Sequence, residues 1–445
     1  MGANTMSDML TIGAGGLRAY ARALETTSGN IANANNPDYV RRSVKLGELV
    51  TSTSYDPLHF NTIRQGGVVV NGLARAADPF LEANTRLAGA SLLEAEARAG
   101  WLGRTEAALN DGENGVGARL QTTFANGAKL AAAPFEPALR AQFLSDIDAT
   151  ATAFRRSASA LSATGAAISD NATNALSTLN QALAELGKIN LNLRAAADGS
   201  ATQASLLDAR DGALATISER LDVSINFAAK GVANISYGGV ALVDVGTVQP
   251  LALDIAPDMR LSLSAGGAAL RAPGSGALAG IVRAADGNAT RVSDLDSLAE
   301  NFAADVNGWQ AAGLTDAGNA GSPLLAGGGG AMGLTLLSND PADLALAGPG
   351  GAANGNALAL TSLRGTEDGW NNIVSTQALA TASANSESAA ANTQFQAART
   401  ARDNLSAVDL DREAADLVRF QQAYEAAARV IQVARETVQS VLAIF

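Results

Sequence analysis

DLDREAADLVRFQQAYEAAARVIQVARETVQSVLAIF, residues 409–445, sets the demand that the rest of the chain must meet. Leu410, Leu417, Tyr424, Ile431, Val438 and Phe445 recur every seven residues, and the position three residues on adds Phe420, Ala427, Ala434 and Val441. That spacing is an a/d seam along one long helix. Asp409 is the expected N-cap, Asp411 and Glu413 place negative charge where the macrodipole favours it, and neither Gly nor Pro interrupts the run. The helix is expected to continue to Phe445. One apolar seam does not offset the entropy of ordering so long a backbone, so an isolated helix of this kind is marginal and needs a partner.

The amino terminus offers that partner. Leu10, Leu17, Leu24 and Ile31 also repeat every seven residues, with Ala14, Tyr20 and Ala21 beside them. A helix is expected from about Ser7 to Ala32, weakened by Gly13, Gly15 and Gly16 at about 1 kcal/mol each. Two amphipathic helices of an ordinary core would show a similar repeat. The seam runs to the last residue, where chains usually fray, and this favours an antiparallel coiled coil of the two ends.

Composition bounds the rest. The chain has 445 residues, enough for two or three domains, and 47% apolar residues, enough for a sizeable core. Aromatic residues make up only 4%, which suits long helices packed through small side chains. A net charge of −12 without a Lys/Arg cluster argues against nucleic acid, whose binding rests on neutralising phosphates. The absence of cysteine excludes disulfides and thiolate metal sites. No apolar run approaches the roughly 20 residues of a membrane span, so membrane insertion is not expected. The segment from Met1 to Leu17 lacks the basic start and apolar stretch of a cleavable signal, with Asp8 preceding the first basic residue, Arg18.

The first helix ends in SGNIANANNPDYVRR, residues 28–42, where Asn30, Asn33, Asn35, Asn36 and Pro37 crowd together. Asn-Pro favours a turn and moves Asn36 out of the helical region. This stretch resembles the amino-terminal signature of the bacterial flagellar axial proteins, the rod, hook and hook-associated family. There a leucine-periodic helix runs into Asn-Ile-Ala-Asn and then Pro-Gly-Tyr. Leu17, Leu24, Ser28, Asn30, Ile31, Ala32, Asn33, Pro37 and Tyr39 match, and Asp38 stands where the family usually has Gly.

GGVVVNG at 66–72 reads as a short strand, and Asp78-Pro79 as a helix start leading to about Leu109. Residues 116–197 are almost wholly helical in pattern, with a corner at Ala133-Pro134 and Glu136-Pro137. KINLNLRAAADGSATQASLLDARDGALATISERLDVSI, residues 188–225, is similar to a segment of the hook–filament junction group within that family. Leu206, Leu207, Asp208, Arg210 and Asp211 carry the match. Read locally, Asp208, Arg210, Asp211, Glu219 and Arg220 look like a charged helix face engaged in structural pairing. From Val223 to about Val282 the period is two, which predicts an antiparallel β domain inserted into the helical chain. Helix is expected again over Asp294–Gln310 and from about Asp368 to Leu405, with Gly- and Ala-rich loops between. LVRFQQAYEAAARVIQ, residues 417–432, closely resembles the carboxy-terminal signature of the same junction group. Rod and hook members usually lack its Phe-Gln-Gln-Ala-Tyr, found here at Phe420 to Tyr424.

The expected fold is therefore mainly α with an inserted β-rich domain. Its parts are a terminal coiled-coil core domain at 1–35 and 406–445, a long-helix rod domain at 36–220 and 290–405, and an outer β domain at 221–289. Enzymatic signatures are weak. His59 is the only histidine, and no Asp/Glu/His cluster has ligand spacing. GGGG at 327–330 and GAGG at 13–16 lack the strand–glycine–Lys–Ser/Thr context of a phosphate loop. The aspartate pairs Asp208/Asp211 and Asp409/Asp411 are explained by capping and solvation. No catalytic, cofactor or metal site is expected.

The resemblance implies a structural subunit of the flagellum. Its seam residues Leu10, Leu17, Leu24, Ile31, Leu410, Leu417, Phe420, Tyr424, Ile431, Val438 and Phe445 would pack the terminal helices together and against neighbouring copies. It implies hook protein and hook-associated protein 3 as partners, self-assembly in a helical array or ring, export through the type III channel, a cytosolic chaperone on the last helix, and an extracellular location at the hook–filament junction. The other axial proteins, hook protein or hook-associated protein 3 itself, are the alternative. The 188–225 segment and Phe-Gln-Gln-Ala-Tyr stand against both.

Overall fold

A computed structural model describes residues 2–36, 39–52, 63–109 and 112–442. Pro37, His59 and Phe445, singled out above, lie outside the described residues. Helix α1 (Gly2–Ala32) leads into a hairpin of β1 (Arg42–Ser52) and β2 (Ile63–Arg75), then into α2 (Pro79–Leu109). Asp78 caps α2, its side chain accepting from the backbone N–H groups of Phe80 and Leu81. Next come α3 (Val116–Ala132) and α4 (Pro137–Ala195), whose 59 residues make it about 90 Å long at 1.5 Å per residue. Helix α5 (Ala201–Arg220) folds back along it, started by Ser200, whose hydroxyl accepts from the N–H of Gln203.

The β region has two antiparallel sheets. One holds β3 (Ser224–Phe227), β4 (Ala233–Tyr237), β5 (Val240–Asp244) and β6 (Thr247–Val248) in that order. The other holds β7 (Leu251–Ile255), β8 (Leu261–Ala265) and β9 (Ala268–Ala269). Their alternating inward residues, including Ile235, Tyr237, Val243 and Leu263, pack on Leu179, Leu183 and Leu186 of α4 and on Leu214 and Ile217 of α5. The sheets thus lie over the far half of the long helix instead of closing a core of their own.

Helix α6 (Ala277–Ala312) begins at Ala277, inside the stretch whose period of two runs to about Val282 and well before the helix expected from Asp294. Leu278, Ile281, Val282, Ala285 and Ala289 recur at three or four residues and all are buried. Gly280 does not mark a turn; a Cβ there would stand 2.2 Å from the Glu94 carbonyl oxygen, so its role is to let α6 touch α2. A loop region follows with β10 (Leu325–Ala326), α7 (Gly330–Gly333) and β11 (Thr335–Leu336). It is pinned by side-chain amides: buried Asn356 donates to the carbonyls of Trp309 and Ala345, and half-buried Asn307 accepts from the N–H groups of Leu324 and Leu325. Helices α8 (Gly365–Ser406) and α9 (Leu410–Leu442) complete the chain. The main core joins α3, α4, α6 and the start of α8, with the Phe143 and Trp309 rings edge to face at 5.9 Å.

Tyr237 offers a local test of the β packing. Its ring is 2% exposed, and its hydroxyl donates to the Arg271 carbonyl at 2.7 Å. Burial, helped by Asp222, pushes the phenol up to about 12. Because the folded value exceeds the ordinary 10, the neutral phenol contributes stability that is fully present below pH 10 and lost as pH rises toward 12. In an alkaline absorbance titration, Tyr237 is expected to contribute a late step near pH 12, and Tyr237→Phe removes it.

Candidate functional site

Helices α1 and α9 run antiparallel in one continuous register. A Cβ on Gly13 would meet the Ile431 side chain at 2.6 Å, one on Gly16 would meet Ala427 at 3.2 Å, and Asn30 bonds Glu413. The glycines expected only to weaken the helix are where its partner comes closest. Gly15 faces the other way, 2.9 Å from the Val68 carbonyl of β2 by the same measure, so α1 is clasped between α9 and the hairpin. Small and polar residues fill this clasp: Gly13, Gly16, Ala19, Ala23, Thr27 and Asn30 are buried.

The large seam residues lie toward one edge of that contact. Leu10, Leu17 and Leu24 are half-buried and Ile31 is exposed. On α9, Leu417, Phe420, Ile431 and Val438 are half-buried, while Leu410 and Tyr424 are exposed. Val418, Val430 and Val433 add further apolar side chains to the open surface of α9. Within one chain, the helix pair closes its small residues and leaves much of its apolar seam uncovered.

The turn after α1 is built on Asn30, which is 1% exposed. Its Nδ2 donates to the Arg42 carbonyl at 2.8 Å and to Glu413 Oε2 at 2.9 Å; its Oδ1 accepts from the Tyr39 hydroxyl at 2.8 Å and the Arg42 N–H at 3.1 Å. Every donor and acceptor of the amide is used. Burial pushes the Tyr39 phenol up, which keeps it a donor. Asn33 secures the end of the helix by donating to the Gly29 carbonyl at 2.8 Å.

Glu413 was expected to serve the helix dipole. It is instead a buried charge, held by Asn30 and by Arg41, whose Nε donates to Oε1 at 2.6 Å. The sequence carries a signal for it: counting back by sevens from Ala434, Ala427 and Phe420 lands on Glu413, a carboxylate on an apolar line, and such a residue requires a buried partner. Asp409 does cap α9, accepting from the N–H groups of Asp411 and Arg412.

From this turn an ion ladder runs into the long-helix body. Arg42 Nη2 donates to Asp208 Oδ2 at 2.5 Å, Arg75 Nε to Asp208 Oδ1 at 2.7 Å, Arg75 Nη2 to Asp211 Oδ2 at 2.7 Å, and Arg210 to the other oxygen of Asp211. Asp208 and Asp211, read above as a charged helix face, therefore receive both roots of the hairpin. Burial pushes the Asp208 carboxyl up, opposed by Arg75 and Arg42. Beside the ladder, Gly72 and Gly199 meet backbone to backbone, and the Leu73 N–H donates to the Gly199 carbonyl at 2.9 Å. Both glycines have positive φ, 129° and 71°. A Cβ on Gly72 would lie 2.9 Å from the Gly199 Cα. Gly72→Val is expected to cost about 2–4 kcal/mol from φ strain and the backbone clash, read as a lower urea midpoint.

Among the described residues no helix is long and apolar enough to cross a membrane, and no group of three or more His, Cys, Asp or Glu residues is placed to hold a metal ion.

The chain carries two paired terminal helices clasped by a hairpin on a long-helix body with a β insertion, and its residues 402–444 match the flagellar axial family model described as Flagellar basal body rod FlgEFG protein C-terminal. Residues 102–325, half of the chain, match the model of the Flagellar hook-associated protein FlgK helical domain, and the chain belongs to that family. It is similar to Flagellar hook-associated protein 1 of Bacillus subtilis (strain 168), 26% identical over 490 residues that cover 96% of each chain. It is also similar to the flagellar hook junction protein FlgK from Burkholderia pseudomallei, at 20% identity and a TM-score of 0.47 over 55% of this chain and 46% of that one.

Proposed function

We propose that the chain is a structural subunit of the bacterial flagellum at the junction between hook and filament, and that it assembles through the paired helices α1 and α9. The observation that carries the mechanism is the uncovered apolar seam. Leu17, Phe420, Ile431 and Val438 are only half covered within one chain, and Leu410, Tyr424 and Val433 stand exposed on the same helix. Copies packed side by side would bury what each leaves open, and head-to-tail repetition of one such contact builds a ring or helical array. In this reading the neighbours are other copies, hook protein on one side and hook-associated protein 3 on the other. The subunit performs no catalysis.

Delivery belongs to the same reading. An exposed apolar stripe aggregates before assembly unless it is covered. A cytosolic chaperone on α9, export through the type III channel and a final extracellular position meet that need. The test is to mix the full-length subunit with preformed hook-protein polymer and sediment it. Co-sedimentation at a fixed ratio to polymer ends supports the assignment. Recovery of the subunit entirely in the supernatant, whatever the polymer concentration, contradicts it.

A further inference from the structure

The terminal unit, made of α1, α9 and the β1–β2 hairpin, meets the long-helix body without a shared apolar core. None of the apolar clusters among the described residues includes a residue of α1, β1, β2 or α9. What crosses the boundary is polar: Arg42 and Arg75 on Asp208, Arg75 on Asp211, the Arg41 N–H on the Ser406 carbonyl, and the Leu73 N–H on the Gly199 carbonyl. Interdigitated apolar side chains must unpack together before two bodies can move, whereas guanidinium–carboxylate pairs can exchange partners in place.

Uncommitted charge stands next to the ladder. A cavity of about 230 Å³ is lined by Tyr39, Glu82, Arg86, Asp208, Asp211 and Arg402, among others. Glu82 and Arg86 form no ion pair or side-chain hydrogen bond among the described residues. Burial pushes the Glu82 carboxyl up, opposed by Arg402 and Arg86, and the Arg86 guanidinium down, opposed by Asp211 and Glu82, so both groups feel the ladder's charges without bonding to them. The buried Nε of Arg42 is also unpartnered. Packed, fully paired ion networks resist rearrangement; this one has spare groups of both signs within the same space.

We propose that this joint is a hinge: the terminal unit pivots on the body about the Gly72–Gly199 backbone contact, with Asp208 as the latch and Arg86 as the alternative partner for the aspartates when Arg75 swings away. The pivot lets one subunit present its assembly helices at two angles. Its use in joining two lattices rests on the flagellar reading, but the hinge itself is a property of the free chain, so its failure and that of the assembly role are read separately.

The chain has no cysteine, so Lys45→Cys on β1 and Ser386→Cys on α8, both exposed, give a clean pair for spin labels in the full-length protein. With the parent sequence one dominant distance is expected by pulsed electron resonance. Asp208→Asn is expected to add a second, displaced population at unchanged helix content, and adding Arg86→Gln to shrink it. Asp316→Asn, which breaks a pair with Arg140 inside the body, serves as control and leaves the parent distance alone. A single parent distance in Asp208→Asn, or the same broadening in the control, overturns the hinge. Should Asp208→Asn lose helix content, Arg42→Lys takes its place, with the same second population expected and a single distance again contradicting it.

Discussion

Val418→Asp with Val433→Asp abolishes assembly while leaving the free subunit folded. Both valines lie on the side of α9 away from α1 and are half or more exposed, at 50% and 59%. In the free chain, aspartate at these positions stays in water and costs only helix propensity, a few tenths of a kcal/mol each. In an array the same carboxylates would be buried against an apolar neighbour without a partner. Leaving a charge so placed costs several kcal/mol, and even about 3 kcal/mol weakens association at least ~100-fold. Circular dichroism and melting temperature are expected to match the parent, and sedimentation with polymer to disappear. Val418→Ala with Val433→Ala, which removes surface without adding charge, should weaken assembly by less.

Glu413→Ala is expected to loosen the terminal unit more than any other truncation of a single side chain there. Removing one member of a buried ion pair costs roughly 3–5 kcal/mol when the other is left stranded. Arg41 is 17% exposed and retains Asp416 at 3.3 Å, so about 2–3 kcal/mol is the expected loss. Asn30 also loses one acceptor. The effect should be confined: the core of α3, α4 and α6 shares no side chain with this turn. Urea unfolding followed by probes on α9 should shift, while fluorescence of Trp309 and Trp370 in the body should not. In a double-mutant cycle, Arg41→Ala in the Glu413→Ala background should cost less than alone.

Much of this organisation is legible in the chain because periodicity reports burial directly. The helix start at Asp78-Pro79, the corner at 133–137 and the run from Leu410 onward each rest on a repeat or a cap that needs no tertiary knowledge. Other features depend on partners distant in sequence. Nothing near Gly13 says that Ile431 will approach it, so its glycine reads as a weak point and not as a contact. Residues 277–282 read as the end of the two-residue period because small apolar residues satisfy both periods, and only packing against α2 selects the helix. Asp208 and Asp211 were legible as a motif but not as a receptor for Arg42 and Arg75, since the pairing spans more than 130 residues of chain. The leucine line of α1 was legible as a seam. That Gly16, Ala23 and Asn30 would occupy the closed side and leave the leucines at the edge follows from the hairpin's presence on the opposite flank.

Amide hydrogen exchange, compared between the free subunit and the assembled polymer, tests the assembly role of the terminal helices most directly. Residues 9–35 and 410–440, paired in the free chain but with their apolar seam open, are expected to be less protected there than the α3–α4–α6 core and to gain strong protection on assembly, with that core equally protected in both. Equal protection of the two ends in free and assembled protein would mean that the helix pair is a finished bundle, and that assembly proceeds through another surface.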